Sequence, residues 1–169
     1  MAGCQSRARP APDGHEALMR IAIDEPTRPE AAAVIEAHGR YTSDVSPANT
    51  CHYLDASGLT HPDITFWTAQ EDGAVLGCIA LKMLSPDRAE IKSMHVLAAH
   101  RGKGIARKLI EALIEEARGR GVSWLGLETG RSEGFAASRA LYAKLGFDPC
   151  EPFGAYCGKS FSYCMSRAL

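Results

Sequence analysis

The sequence lacks a surplus of charge of either sign and any long apolar run, and each absence excludes a class of protein. Its 169 residues include 19 Lys and Arg against 20 Asp and Glu, and the basic residues form no long run. A face that reads nucleic-acid phosphates needs such a basic cluster. No apolar stretch approaches the roughly 20 residues of a membrane-spanning helix. We therefore expect neither a nucleic-acid partner nor a membrane association.

Motifs for metal binding and for disulfide frameworks are also missing. None of the six cysteines forms a Cys-x-x-Cys pair, and the six histidines show no His-Glu-x-x-His spacing. A chain of this length buries enough apolar surface to fold without cross-links. The sequence thus predicts reduced thiols and no metal site.

The composition is that of an ordinary globular protein, with 46% hydrophobic and 23% charged residues. Residues 1–16 are rich in Arg, Pro, Ala and Gly and contain no apolar segment that could form the core of a signal peptide. We expect a disordered lead over residues 1–16, one domain over residues 17–169, and a cytoplasmic location.

The first half of the domain predicts strands and helices in a simple order. A strand at 18–24 precedes a helix at 29–38, for which Thr27 is the expected cap, and a second helical stretch covers 47–56. Strands follow at 63–70, 75–84 and 89–97. The Asp72-Gly73 pair between the first two of these strands favours a hairpin.

The second half of the domain alternates helices and strands. Ile105, Leu109 and Leu113 share one face of a helix predicted at 102–118. The remaining expected elements are a strand at 122–129, a helix at 135–145, a short strand from 147 and a last strand at 160–167. This order predicts a single α/β domain, in which a mixed, mostly antiparallel sheet is flanked on both faces by about four helices.

The segment 101–106 (Arg-Gly-Lys-Gly-Ile-Ala) lies between a predicted strand and the long helix. Backbone N–H groups at a helix N-terminus attract anions, and Gly102 and Gly104 have no Cβ to obstruct a close approach. Arg101 and Lys103 add positive charge. The spacing required for a P-loop is absent. The segment therefore predicts a cradle for a pyrophosphate, and we call it the cradle below.

The Arg-x-x-Gly-x-Ala pattern of the cradle resembles the coenzyme A signature of the GNAT superfamily of N-acetyltransferases. The segment 138–147 (Ser-Arg-Ala-Leu-Tyr-Ala-Lys-Leu-Gly-Phe) is similar to the superfamily's Leu-Tyr-x-Lys-x-Gly-Phe signature. From about residue 51 to the end, the chain resembles a YsnE-like bacterial subgroup of mostly uncharacterised acetyltransferases. Glu90-Ile-Lys-Ser-Met, Leu127-Glu-Thr-Gly and Pro152-Phe-Gly-Ala-Tyr carry that closer likeness.

The resemblance implies the GNAT-like acyl-CoA N-acyltransferase fold and direct transfer of acetyl from acetyl-CoA to the primary amine of a small metabolite, without a metal. In such enzymes the strand before the cradle bulges and separates from its neighbour, which admits the pantetheine arm. A backbone N–H near Val96 is then expected to face the thioester carbonyl. The cofactor contacts carried over are Met94, His95, Val96, Arg101, Gly102, Lys103, Gly104, Ile105, Ala106, Ser138 and Tyr142.

The resemblance also implies catalytic roles. Tyr142 corresponds to a tyrosine near the sulfur and is the expected general acid for the departing thiolate. An ammonium group must lose a proton before it attacks, and Glu90 is the expected base, with Glu128, acting through water, as the alternative. His95 ranks after both, because strand alternation groups it with Ile91, away from Glu90, unless a bulge intervenes.

Other expected substrate contacts are Lys92, which could bind a carboxylate, Glu128, Thr129 and the aromatic wall residue Phe153. Phe135 stands where many superfamily members have an asparagine that contacts the cofactor.

Two alternative functions remain open: a protein or peptide acetyltransferase, favoured by a long acidic groove, and an acyl-CoA-binding sensor without turnover. A closed pocket lined by Phe153 and Tyr156 would favour a metabolite. The sequence names neither the acceptor nor the oligomeric state, although a homodimer is common among similar proteins.

Overall fold

The computed structural model describes residues 18–48, 50 and 53–169; the lead expected at residues 1–16 lies outside the described residues. In chain order, the strands and α-helices are β1 (Arg20–Ile23), α1 (Pro29–Val45), β2 (Ile64–Glu71), β3 (Ala74–Ser85), β4 (Arg88–Val96), α2 (Ile105–Gly119), β5 (Trp124–Gly130), α3 (Ala136–Lys144), β6 (Asp148–Pro149) and β7 (Ser162–Ala168).

The seven strands form one sheet in the order β1-β2-β3-β4-β5-β7-β6. Every neighbouring pair is antiparallel except β4 and β5, which are parallel. Apolar residues of α1 pack on one face of the sheet, whereas those of α2 and α3 pack on the other. The predicted mixed, mostly antiparallel sheet with helices on both faces is confirmed, with three α-helices rather than about four in the described ranges.

The predicted hairpin and the apolar face of α2 are both present. Asp72 and Gly73 have φ angles of 49° and 80°, and two successive positive values match the type I′ turn that Asp-Gly favours. Ile105, Leu109 and Leu113 are buried against the sheet. Local sequence signals therefore position both the β2–β3 hairpin and the helix that follows the cradle.

Helix α1 is longer than the expected 29–38, because contacts with a distant turn outweigh the helix-breaking tendency of Gly39. The Tyr41 hydroxyl donates to the Gly134 carbonyl at 2.6 Å, and the Ser132 hydroxyl donates to the Val45 carbonyl at 2.7 Å. These bonds hold the last two turns of α1 on the segment between β5 and α3. The added turns bring α1 over the end of β4.

Two local predictions are wrong. The residue preceding α1 is Arg28 rather than Thr27, and its side chain makes no capping hydrogen bond, since Pro29 begins the helix and removes one donor that would need a cap. No α-helix occupies the described residues of 47–56. There Asp55 instead accepts a hydrogen bond from the Gly58 N–H at 2.7 Å, which favours a turn over a continuing helix.

Candidate active site

A bulge near the end of β4 opens the sheet. Ser93 has a φ angle of 51°, and the register between β3 and β4 slips so that Ser93 and Met94 together oppose Ile79. Pairing between β4 and β5 ends at Ile91 and Leu127. An extra residue bends a strand and increases its twist, and the two parallel strands part beyond this point. The separation expected from the family resemblance is thus present.

A cavity of about 420 Å³ lies where the strands part, between the cradle, α1 and α3. It brings together most of the residues that the sequence singled out, while the cradle residue Lys103, the expected base Glu90 and the expected wall residue Phe153 do not line it. The expected site residues that do line it are Lys92, Met94, His95, Val96, Arg101, Gly102, Gly104, Ile105, Ala106, Glu128, Thr129, Ser138 and Tyr142.

The cradle has the geometry of an open anion site. Gly104 immediately precedes α2, and no side chain caps the free N–H groups of the first turn. Both Gly102 and Gly104 have φ angles of 77°, and a Cβ at either would meet no atom within 4 Å. The Arg101 guanidinium is fixed beside it, because its Nε donates to the Val96 carbonyl at 3.1 Å. The cradle therefore offers free donors and positive charge without steric obstruction.

Tyr142 lies on α3, lines the cavity and belongs to the core between the helices and the sheet. Its ring is only 5% exposed and packs edge-on against Phe147, with ring centroids 5.5 Å apart. Burial raises the pKa of the Tyr142 phenol above its usual value. The hydroxyl carries its proton at neutral pH, as tyrosine does at its usual pKa, and the raised pKa makes it a weaker acid than an exposed tyrosine.

Two histidines pack together at the α1 side of the cavity. The bulge moves His95 onto the α1 face, away from the side that uninterrupted alternation predicts, and its ring centroid lies 5.4 Å from that of His38. Burial, with a smaller effect of nearby Arg101, lowers the pKa of His95 to about 4. Burial, reinforced by His95 and Lys92, lowers the pKa of His38 to about 3. Both imidazoles are neutral at neutral pH.

His38 is a cavity residue that sequence reasoning missed. Its Nδ1 is buried and has no hydrogen-bond partner within the described part of the chain. A single histidine in an alanine-rich helix matches no motif, and the helix was expected to end at that residue. Only the extended α1 and the bulge in β4 bring His38 and His95 together.

We expect the histidine pair to make the fold sensitive to mild acid. Below pH 6.5 the unfolded chain binds protons that buried His38 does not, so the free energy of unfolding decreases as the pH falls. At pH 5 this loss reaches up to about 2 kcal/mol for His38. Urea unfolding at pH 7.0, 6.0 and 5.0 measures it, and His38→Gln should reduce the dependence and leave the part that comes from His95.

The Asp24 carboxyl provides an internal comparison for that measurement. Its bond with Arg28 lowers its pKa from 3.8 to about 2, so the stability it contributes is lost only below about pH 4. A pH dependence above pH 5 that His38→Gln leaves unchanged would contradict the assignment to His38.

A buried ion-pair cluster lies behind the cavity wall. Lys92 Nζ donates to the Tyr156 hydroxyl at 2.6 Å and to Glu90 Oε1 at 3.2 Å, and the Tyr156 hydroxyl donates to the same Glu90 oxygen at 2.5 Å. The Lys92 and Glu90 side chains are 12% and 7% exposed. Lys92 lines the cavity, whereas Glu90 and Tyr156 do not. Glu90 therefore does not contact the cavity itself, and of its two partners only Lys92 does.

Glu128 lines the cavity on the β5 side and is the only acidic residue among the described residues that form its wall. Burial raises the pKa of its carboxyl, while the nearby Ser162 hydroxyl and the charge of Lys92 act in the opposite direction. A carboxylate whose pKa is raised is a stronger proton acceptor. Of the two candidate bases, Glu128 is the one in direct contact with the cavity.

Phe153 packs away from the cavity. Its ring lies edge-on against Trp124 and Tyr156, with centroid distances of 5.0 Å and 5.4 Å. Its contact with Tyr156 places it beside the buried ion-pair cluster. The aromatic residues that do line the cavity are Tyr41, Tyr53, Phe135, Tyr142 and Phe161.

Within the described ranges the chain has no metal-binding cluster, no disulfide and no membrane-spanning helix. No group of three or more His, Cys, Asp or Glu side chains converges there in a way that could hold a metal ion. The cysteines that the structure describes, Cys78, Cys150, Cys157 and Cys164, are all free. None of the helices in these ranges combines the length and apolarity needed to cross a bilayer.

Comparison with known proteins links this geometry to a family. The model of the acetyltransferase (GNAT) family matches residues 16–147. The chain is 39% identical over 151 residues to the uncharacterized N-acetyltransferase YsnE of Bacillus subtilis, with 89% of this chain and 100% of that protein covered. It is also 39% identical over 150 residues to an IAA acetyltransferase of Azospirillum brasilense, with 88% and 97% covered.

The fold is also that of solved acetyltransferases. A GNAT family acetyltransferase from Elizabethkingia anophelis, solved with acetyl-CoA bound, superposes with a TM-score of 0.64 at 16% sequence identity. The superposition covers 89% of this chain and 98% of that one.

Proposed function

The chain belongs to the acetyltransferase (GNAT) family and is an acetyl-CoA-dependent N-acetyltransferase, and we propose that its acceptor is the primary amine of a small metabolite. The observation that carries this proposal is the cavity at the parting of β4 and β5. It joins the cradle to Glu128 within about 420 Å³, a volume typical of small-molecule sites.

The shape and charge of the cavity favour a metabolite over a protein lysine. The groove expected for a basic peptide is long and acidic, whereas Glu128 is the only acidic residue among the described residues of this wall. The sequence suggested an acceptor pocket lined by Phe153 and Tyr156, but neither residue lines the cavity. The place of that pocket is taken by a cavity between α1 and the parted strands.

The cradle fits the pyrophosphate of acetyl-CoA. Free N–H groups at the start of α2 and the open space at Gly102 and Gly104 are what a pyrophosphate requires. Bound acetyl-CoA supplies an acetyl thioester that an amine can attack directly. In this proposal the cradle holds the pyrophosphate, Met94 to Val96 border the pantetheine arm, and a backbone N–H near Val96 faces the thioester carbonyl.

Two side chains are then assigned to the proton movements. Glu128 accepts the proton that the acceptor ammonium must lose, directly or through one water. Tyr142 donates its proton to the sulfur as the C–N bond forms and the C–S bond breaks. Holding both reactants in one cavity supplies the remaining acceleration by proximity. Glu90, the base first expected, is placed by this proposal behind Lys92 as its counterion.

The function is tested by measuring coenzyme A release, followed as free thiol, with amino acids, polyamines, aminoglycosides and peptides as acceptors. IAA is added to the panel because one relative is named an IAA acetyltransferase. Turnover confined to small amines supports the proposal. Turnover confined to peptides would replace it with a protein acetyltransferase. Tight coenzyme A binding by calorimetry without any turnover would point to a sensor.

The two candidate bases are separated by paired variants. We expect Glu128→Gln to lower kcat/KM at pH 7 by about 10²-fold or more, which is the usual contribution of a general base. The loss should shrink as the pH rises toward the pKa of the acceptor amine, because the free amine then forms without help.

Glu90→Gln should have the smaller effect, and Glu115→Gln serves as the control because it removes a surface carboxylate that pairs with Arg118. A larger loss in Glu90→Gln, again recovered at alkaline pH, would return the role of base to Glu90.

A further inference from the structure

Two opposite charges face each other where β4 and β5 part. Ile91 and Leu127 are the last paired residues of these strands and belong to the core on the α2 side. The next residue on β4 is Lys92 and the next on β5 is Glu128, and alternation turns both to the opposite face. Both line the cavity. One cation and one anion therefore stand on either side of the opening.

These two side chains are the charged groups that remain once the cradle is assigned. Arg101 and Arg107 are the other charged residues in the described part of the cavity wall, and both lie at or beside the start of α2. The nearby imidazoles of His38 and His95 are neutral at neutral pH because burial lowers the pKa of each. The acceptor end of the cavity thus presents one positive and one negative group.

Lys92 retains a donor for a ligand. An ammonium group has three N–H bonds, and two of them are directed to Tyr156 and Glu90. Within the described residues, no protein acceptor takes the third. The Tyr156 hydroxyl accepts a hydrogen bond from Lys92 and donates one to Glu90. Because the Glu90 carboxylate is partly satisfied by this donor, it binds Lys92 less closely than it would alone.

We propose that the acceptor is an amino acid or a similar amino carboxylate. Its carboxylate accepts a hydrogen bond from Lys92 Nζ, and its ammonium group lies against Glu128, which removes the proton. Paired strands lie about 4.8 Å apart and these two are diverging, so their side chains bracket a group of about the size of an amino acid. This inference rests on the function proposed above and names the substrate class.

Tyr156 is the positioning residue in this arrangement. It does not line the cavity, and it acts by holding Lys92 through the 2.6 Å hydrogen bond. Removal of its hydroxyl leaves Glu90 as the partner that draws Lys92 away from the ligand. The effect should appear in KM for acceptors that carry a carboxylate, with a much smaller change in kcat.

The experiment compares each L-amino acid with its own carboxamide as the acceptor, with acetyl-CoA saturating. For the wild type, we expect kcat/KM for the best amino acid to exceed that for its amide by about ten- to a hundredfold, the range of a hydrogen bond to a charged group. In Lys92→Met this ratio should fall to about one. In Tyr156→Phe the ratio should fall several-fold through KM, while Lys159→Met, which removes an exposed lysine that does not line the cavity, should retain it.

The outcomes separate this inference from the function on which it rests. Equal turnover of acids and amides by the wild type, or an unchanged ratio in Lys92→Met, would overturn the amino-carboxylate assignment and leave a small-amine acetyltransferase. If the enzyme acetylates neither the amino acids, nor their amides, nor any other small amine, both the amino-carboxylate inference and the proposed small-amine function are overturned. A purely structural role for Lys92 would lower the melting temperature of Lys92→Met without moving the ratio.

Discussion

Gly104→Leu is expected to weaken coenzyme A binding by at least about a hundredfold. The space beside Gly104, where a Cβ would meet no protein atom within 4 Å, is the space that the pyrophosphate occupies in the proposed complex. A leucine side chain there separates the phosphate oxygens from the free N–H groups of α2. Each hydrogen bond to a charged group contributes about 1.5–3 kcal/mol, so the loss of two accounts for the expected change.

Gly121→Leu is the matched control for this variant. Gly121 follows the other end of α2, has a φ angle of 81° and also has no atom within 4 Å of its Cβ position. Both substitutions therefore cost similar backbone strain, roughly 1–2 kcal/mol, but only one of them borders the cavity. Calorimetric titration with coenzyme A and thermal unfolding measure the two effects separately. Equal affinities in the two variants would exclude the cradle as the binding site.

The parts of the site that could be predicted from sequence are those set by local signals. Asp72-Gly73 fixes the hairpin, and the glycines of the cradle come directly before an amphipathic helix, so both are visible without a fold. The parting of β4 and β5 required the family resemblance, because a bulge at Ser93 leaves no mark in composition or periodicity. The positive φ of Ser93 belongs to this bulge, where the register of β3 and β4 slips.

The remaining differences come from contacts between distant segments. The hydrogen bond between Tyr41 and Gly134, 93 positions apart, holds α1 in the turns beyond its expected end at residue 38. The same extension makes His38 a cavity residue. Glu90 has the expected position on its strand, yet Tyr156, 66 residues later, covers it. The spacing of residues along the sequence predicts which helix or strand each belongs to. The partner of a buried side chain depends instead on which distant segment packs over it in the fold.

Tyr142→Phe is expected to lower kcat by about 10²- to 10³-fold, the contribution usual for a general acid. The departing thiolate needs a proton, and the Tyr142 phenol, which carries its proton at neutral pH, lines the cavity where the thioester is expected. Phenylalanine retains the ring and its edge-on contact with Phe147, so the core around α3 should persist. Coenzyme A affinity should therefore change only a few-fold, since the cradle and not the hydroxyl provides the binding contacts.

Steady-state kinetics and calorimetry on the same preparation separate these two effects, and Tyr163→Phe is the control. Tyr163 lies on β7 outside the cavity and stacks with Arg131 and Arg139, with cation-to-ring distances of 5.3 Å and 5.6 Å. If Tyr142→Phe turns over at the wild-type rate, the thiolate leaves without a proton from this residue. A loss of coenzyme A affinity as large as the loss of kcat would instead make Tyr142 a binding residue. Only a fall in kcat with affinity preserved assigns the proton to its hydroxyl.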